Sequence, residues 1–402
     1  MTGKTSLSIA VMTHPRRLVH AQKLATELSP HPVDIVLDPV PEGPPQSLRT
    51  AVRAWAAAGD ASHHLVLQDD VVVIDGFVDN VLQHLQEFPE AALAYFAQWS
   101  SCNGMAVRLG ALVNARWVEA IPEWTPCQAL VLPRRLALGF TEFGLSHHPQ
   151  PCDELMQLFL TSKGVPTYLS VPSLADHAPL PSLLGHDPKG ARKAACFQQG
   201  PPTQPPNRTD PPATFRAIPY FFGGRTLCSL PDPSPTTPYR RTWTETISYL
   251  TSLGVSIHRV RHELQHALAK ANHETRAAGT QLGKQTLSQL WITTYAMGCI
   301  AAQHYRPIPE HNGDTQLNQP HITENAMATI AVGSLTHIPN QPTAEWLSWQ
   351  LRHLCHAGFT AGTTDPAITK PLRHLLQTSQ RPRGSSNIRE IRKRLSENGA
   401  CL

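Results

Sequence analysis

Short apolar runs alternate with helix-forming stretches through the first quarter of the chain. Leu7 to Pro15 (LSIAVMTHP) predicts a buried strand whose end opens into a loop, and residues 16 to 28 follow as a helix. Val33 to Asp38 (VDIVLD) is a second apolar run, closed by a Pro- and Gly-rich loop at 39 to 45, and helix formers fill Gln46 to Ala58. A third run, Leu65 to Val73 (LVLQDDVVV), is interrupted by acids. A helix from Gly76 to Phe88 and a strand from Ala91 to Gln98 complete a β-α-β-α-β-α-β order. This alternation predicts an α/β fold: a mainly parallel sheet with helices on both faces, which binds ligands beyond the carboxyl ends of its strands. The loops after residues 12, 37 and 68 are therefore expected to share one crevice.

The pattern changes twice further on. Between Phe197 and Pro238 prolines crowd the chain (GPPTQPPNRTDPP, then PDPSPTTP), which reads as linker or irregular wrapping because proline has no N–H to donate. From Arg241 to Gly362 the periodicity is helical, with helices expected at 243 to 253, 256 to 278, 283 to 304, 324 to 335 and 343 to 356. The expected organisation is thus an α/β domain at 1–195, a Pro-rich linker at 196–240, an all-α domain at 241–365 and a basic, partly disordered tail at 366–402. That tail holds eight Lys or Arg against two Glu.

Composition narrows the class without choosing a partner. With 402 residues and 41% hydrophobic content, the chain has room for two ordinary cores, and a net charge of +4 does not demand a polyanion. The eight cysteines include no CxxC pair, so reduced thiols in a cytoplasmic protein are expected. Met1-Thr2-Gly3-Lys4 runs straight into the first strand without the cationic head and apolar run of a secretory signal. No membrane span is expected either. Trp291 to Ala302 is about half the roughly 20 residues that a bilayer requires.

The chemistry centres on Gln68-Asp69-Asp70. An unpaired carboxylate among branched aliphatics costs several kcal/mol unless it lies at a strand end or binds a cation. A reaction that expels a diphosphate supplies a reason for two adjacent acids, since a hard divalent cation held by carboxylate oxygen neutralises the departing charge. The arrangement resembles the GT-A glycosyltransferases, whose acidic DxD-type motif follows a buried strand after two βα units, closest in shape to members with Glu-Asp-Asp. Gln68 stands here where such a family often has an acid, so the metal is expected to rest mainly on Asp70, with Asp69 in support.

That resemblance extends to the segment from Asp153-Glu154, which opens a helical stretch (DELMQLFLTSKG), to Val165 through His177 (VPTYLSVPSLADH). It implies Asp153 or Glu154 as general base toward an acceptor and His177 as a further metal ligand, with His186 competing for the latter role. On the donor side, Thr13, His14 and Arg17 lie where backbone N–H groups and a helix start favour phosphate or a base edge. Asp38 ends the second strand in the same crevice. Arg49 and Arg53 are one helical turn apart and suited to diphosphate, Arg49 being preferred. Trp117, Trp124 and Gln128 fall where such enzymes shape the acceptor pocket, although a core role for either indole is an equal expectation. The implied function is a metal-dependent transfer of a sugar from a nucleoside-diphosphate donor to an unknown acceptor, with Mn²⁺ or Mg²⁺ as cofactor.

Two other readings stand beside it. His262-Glu263-Leu264-Gln265-His266 is a literal HExxH, which on a helix presents two imidazoles and a glutamate as in zinc peptidases, with Glu324 the best further ligand. A protein that kept nucleotide binding and lost transfer is the third, for which Gln68 is the signal. The basic run Arg389 to Arg394 carries no aromatic interleaving, so a nucleic-acid partner is not indicated beyond a solvated tail.

Overall fold

Three parallel strands with aligned ends form the edge of the sheet on which the site is built. In the computed structural model, β1 (Leu7–Thr13) pairs with β2 (Asp34–Leu37) on one side and with β3 (His63–Gln68) on the other. The register sets Thr13 beside Leu37 and Met12 beside Gln68, so all three chains leave the sheet together. The structure describes residues 5–147, 151–187, 190, 192–198, 210–232, 241–304, 320–335 and 341–370.

The sheet continues through β7 (Ala129–Pro133), β5 (Ala92–Ala94), β8 (Thr167–Ser170) and β6 (Trp117–Glu119), giving seven strands in the order β2-β1-β3-β7-β5-β8-β6. Only β7 and β6 run against the rest. Neighbouring residues of a strand point to opposite faces, and both faces are apolar. Ala10, Met12, Val66 and Leu130 meet α2 (Ser47–Ala56), α5 (Arg134–Ser146) and α6 (Cys152–Ser162). Ile9, Val11, Leu65 and Val131 meet α1 (Leu18–Glu27) and α3 (Phe77–Glu87). Strands buried on both sides explain why the sequence shows continuous apolar runs rather than alternation. The α/β expectation, with helices on both faces of a mainly parallel sheet, holds.

A small ladder completes the site. β4 (Val71–Val73), immediately after the acid pair, pairs antiparallel with β9 (Ala175–His177), with Val71 opposite His177.

The rest of the chain differs from the sequence expectation in three respects. The stretch 196–240 contains β10 (Ile218–Phe222) and β11 (Arg225–Pro231), which form a three-stranded antiparallel sheet with β12 (Arg241–Glu245). The helix expected at 256 to 278 is two, α8 (Ile257–Lys270) and α9 (His273–Leu282), after α7 (Thr246–Ser252). Asn272 separates them by capping α9, its side chain accepting the Thr275 N–H at 2.8 Å. Third, α10 (Lys284–His304), α11 (Pro320–Ser334) and α12 (Gln341–Thr363) do not enclose a core of their own. They share one apolar cluster with the strand residues Ala10 and Val66.

The connecting piece is α4 (Cys102–Leu112), every residue of which is buried. It lies against β6, β10 and α11, so no face of it is left polar. The one charge it buries, Arg108, donates to the side chain and carbonyl of Thr329 on α11. Seven cysteines, at 102, 127, 152, 196, 228, 299 and 355, are buried and unpaired. Among the described residues no helix is long and apolar enough to cross a membrane. The tail from 371 onward lies outside the described residues.

Candidate functional site

Where β1, β2 and β3 end, a cleft of about 110 Å³ opens. Its walls include Thr13, His14, Arg17, Asp38, Gln68, Asp69 and Asp70. Ser182, Leu183, Leu184 and Arg192 close it from the other side. The crevice expected after residues 12, 37 and 68 is therefore real, and every donor-side candidate except Arg49 and Arg53 lines it.

Arg17 organises the acids. It ends a short 3-10 turn (Pro15–Arg17) that follows β1, and its Nη1 reaches Asp69 Oδ1 at 3.1 Å and Asp70 Oδ2 at 2.7 Å. Its Nη2 donates to the Pro181 carbonyl, which ties the 178–187 segment to the cleft. Thr13 Oγ1 donates to Asp69 Oδ2 at 2.6 Å, so both oxygens of Asp69 are engaged. Through the β4–β9 ladder, His177 Nε2 comes to 3.1 Å from Asp70 Oδ2, while its Nδ1 donates to the Ala178 carbonyl at 2.8 Å. Asp70 Oδ1 is buried without a partner.

These contacts separate the two carboxyls electrostatically. Burial raises the pKa of Asp69, and the adjoining Asp70 charge adds to this against the bonds from Thr13 and Arg17. Burial pushes Asp70 in the same direction, but the hydrogen bond and charge of His177, with those of Arg17, outweigh it and lower Asp70 to about 2. Asp70 is thus the firm anion of the pair. The Arg17 guanidinium is correspondingly held above its ordinary range, burial being overcome by the charges of Asp70 and Asp69.

Next to this group, His14 carries the cap of the 3-10 turn. The Arg16 N–H donates to its Nδ1 at 3.2 Å, which leaves the proton of the neutral ring on Nε2, a buried donor without a partner. Asp38, at the end of β2, is buried and accepts from Val40 N–H at 3.0 Å and from Arg49 Nε and Nη2 at 2.6 and 2.8 Å. Burial raises its carboxyl, and the fork from Arg49 with the Val40 bond more than reverses this.

The other candidate residues lie in different surroundings. Arg49 is not a free phosphate screen. Its guanidinium is committed to Asp38 and to the Pro44 carbonyl at 2.8 Å, where it pins the Pro-rich loop. Arg53 is exposed on α2 and does not line the cleft. Asp153 and Glu154 open α6, which packs on α5 and α2, and neither lines the cleft. Asp153 instead offers its carbonyl to Thr125 N–H at 3.2 Å. Trp117 is a core residue, edge-on to His84, Phe88 and Tyr95. Trp124 is half-buried outside the cleft, and Gln128 sits beside Gln68, whose N–H it accepts at 3.0 Å. His186 shares the 182–187 turn without lining the cleft. Arg192 was missed. Its only signal was a basic pair, Arg192-Lys193, in a segment without periodicity.

The donor set around Asp70 suits a hard divalent cation. One carboxylate with an unspent buried oxygen and one imidazole stand together, and Mg²⁺- or Mn²⁺-type ions commonly take one or two side chains and complete their shell with water and phosphate oxygens. Among the described residues no group of three or more His, Cys, Asp or Glu side chains can hold a metal on its own. A metal here would therefore need ligands beyond these side chains.

The HExxH segment gives a different outcome. His262 and His266 are exposed on α8, and Glu324 faces Arg352 Nε at 3.5 Å on another pair of helices. No zinc set forms from them.

Comparison with models of known protein families finds no match for this chain, and comparison with curated proteins finds none.

Proposed function

We propose that the chain is a GT-A-type glycosyltransferase that uses a nucleoside-diphosphate sugar and a divalent metal, with the cleft at Gln68-Asp69-Asp70 as its donor site. The observation that carries this reading is the meeting of Asp70 and His177. A separate ladder, β4–β9, brings an imidazole to the one carboxylate that keeps a buried, unpartnered oxygen. Asp70 and His177 would hold the metal, which when bound would neutralise charge on the departing diphosphate.

The other side chains have separable tasks. Arg17 balances the second carboxylate and anchors the 178–187 segment over the cleft. His14 offers its Nε2–H to a phosphate or base oxygen, and Arg192 adds a cation on the opposite wall. Asp38, fixed by Arg49, presents acceptor oxygens of the kind that a ribose hydroxyl donates to. At about 110 Å³ the cleft takes the diphosphate end of such a donor. Whole ligand sites measure roughly 300–1,000 Å³, so the remainder would extend past Ser182–Leu184. We assign no general base, because Asp38 and Asp69 are both engaged and Asp153 and Glu154 lie elsewhere.

A second reading has its own observation. Arg17 already occupies Asp70 Oδ2 in the manner of a built-in cation, which would let a nucleotide bind without metal and without transfer. Thermal shift with UDP and GDP, with and without Mn²⁺, decides between them. Stabilisation that needs Mn²⁺ and is lost in Asp70→Ala supports the transferase, whereas equal stabilisation without metal supports the binding protein. No shift with any nucleotide overturns both.

A further inference from the structure

The cleft at Gln68-Asp69-Asp70 is narrowed by the same side chain that neutralises its acids. At about 110 Å³ it falls short of the roughly 300–1,000 Å³ of whole ligand sites, and Ser182, Leu183 and Leu184 form one of its walls. These residues belong to the segment that follows β9. Its near end is fixed, since the Ala178 N–H donates to the Asp70 carbonyl at 2.7 Å. Its far part closes on itself, the Ser182 N–H donating to Asp187 Oδ1 at 2.7 Å. Between them, a tie crosses the cleft: Arg17 Nη2 donates to the Pro181 carbonyl.

The other end of that guanidinium stands where a metal would be taken up. Arg17 Nη1 lies 2.7 Å from Asp70 Oδ2, and His177 Nε2 lies 3.1 Å from the same oxygen. Two ligands at right angles on an octahedral ion, with bonds of about 2.1 Å, are about 3 Å apart, so this oxygen and nitrogen are spaced to share one ion. Asp70 Oδ1 is the oxygen without a partner, but Oδ2 is the one that meets the imidazole. A cation held by both side chains therefore meets Arg17 at Oδ2, no more than about 5 Å from Nη1. Arg17, Asp70 and His177 are all buried, so little water screens the two like charges.

We propose that Arg17 is a latch. It occupies the place of the metal on Asp70 in the resting protein, and its displacement by a divalent cation releases Pro181 and opens the cleft to the nucleotide. The guanidinium is one rigid plane, so a shift of Nη1 off Asp70 carries Nη2 with it and loosens the hold on Pro181. Metal entry and opening of the 178–187 segment are then coupled, and nucleotide alone meets a closed cleft. The latch rests on the metal-dependent reading of this cleft, to which it adds that Arg17 opposes metal entry.

Mn²⁺ titration of the full chain, read by loss of the free-ion paramagnetic resonance signal, tests it in wild type and in Arg17→Gln, with and without UDP. Arg17→Gln removes the charge and keeps a polar side chain. It is expected to bind Mn²⁺ about tenfold or more tightly than wild type, because no internal cation has to be displaced first. Amide exchange over residues 178–187, without nucleotide, reads the segment itself. It should quicken when Mn²⁺ is added to wild type and should already be quick in Arg17→Gln without metal. If Arg17→Gln binds Mn²⁺ no more tightly than wild type, or saturating Mn²⁺ leaves the exchange unmoved, the latch is overturned and the metal site stands. If neither protein binds Mn²⁺, with UDP or without, the metal site falls and the latch with it. Should Arg17→Gln fail to fold, exchange in wild type with and without Mn²⁺ decides the matter.

Discussion

His177 Nε2 lies 3.1 Å from Asp70 Oδ2 because Val71 and His177 are paired partners in the β4–β9 ladder. The backbone, rather than a chance side-chain reach, thus fixes the imidazole beside the carboxylate. For the proposed metal site this makes His177→Ala more informative than loss of an acid. The variant keeps Asp70, Asp69 and Arg17, and the Mn²⁺ concentration needed for half-maximal nucleotide stabilisation should rise on the order of tenfold or more. An unchanged Mn²⁺ requirement would remove His177 from the site.

Arg17 has a stability role that can be read through pH. Asp70 titrates near 2 in the fold against 3.8 as its ordinary value, so it contributes stability that is present above about pH 3.8 and lost as pH falls towards 2. By the size of that shift the contribution is on the order of 2 kcal/mol. Asp69, raised by burial, works in the opposite sense and offsets part of it. Removing Arg17 leaves two adjacent buried carboxylates with a single imidazole, beside Asp70. Arg17→Ala should therefore lose roughly 3 kcal/mol in urea unfolding at pH 7, and distinctly less at pH 4, where protonation relieves the repulsion. An equal loss at both pH values would show that the guanidinium acts by packing instead.

The readable parts of the fold were those where local pattern and tertiary environment agree. β1 and β3 are continuous apolar runs because both faces of the sheet are covered there, whereas β2 is a half-covered edge strand, and the crevice at the ends of the three followed from their order. By contrast, α4 carries no amphipathic stripe, since β6, β10 and α11 bury it all round, and a helix without a polar face gives periodicity nothing to detect. β10 and β11 were hidden by flanking prolines. In the site, Asp70 and His177 were reached through a family likeness. The partners of cations were not: Arg17 and Arg49 were both expected at phosphate, because a sequence displays a charge without showing what it pairs with. The position of Asp153 and Glu154 away from the cleft was hidden for the same reason, since a helix start does not reveal which way the helix is packed.

Arg49 and Asp38 form a bidentate ion pair beside the cleft, with bonds of 2.6 and 2.8 Å. Arg49→Ala strands a buried carboxylate and frees the 39–45 loop from the Pro44 carbonyl. The expected loss is about 2 kcal/mol, as for hydrogen bonds to charged groups. Arg49→Lys should recover only part of it, because an ammonium lacks the fork. If the pair serves the donor site, both variants raise the nucleotide concentration needed for thermal stabilisation without altering the Mn²⁺ requirement. A changed Mn²⁺ requirement would instead connect Asp38 directly to the metal.

The contact between α10 and α12 makes a prediction about the shared core. Gly298 and Gly362 let the two helices approach backbone to backbone: a Cβ at Gly298 would meet the Phe359 carbonyl oxygen, and one at Gly362 would meet that of Tyr295. Both obstacles are backbone atoms, so neither can turn aside as a side chain would. In an isolated helix, alanine is favoured over glycine by about 1 kcal/mol. Here the overlap forces the helices apart, and overpacking of this kind costs about 1–3 kcal/mol or more. Gly362→Ala should consequently lower the melting temperature, whereas Gly164→Asn, at a φ of 63° with no atom within 4 Å of the added Cβ, should change it little. Because α10 and α12 belong to the same apolar cluster as β1 and β3, the loss should appear in one cooperative transition that also abolishes the proposed nucleotide binding. A separate early transition with the donor cleft intact would show that the helical layer unfolds on its own.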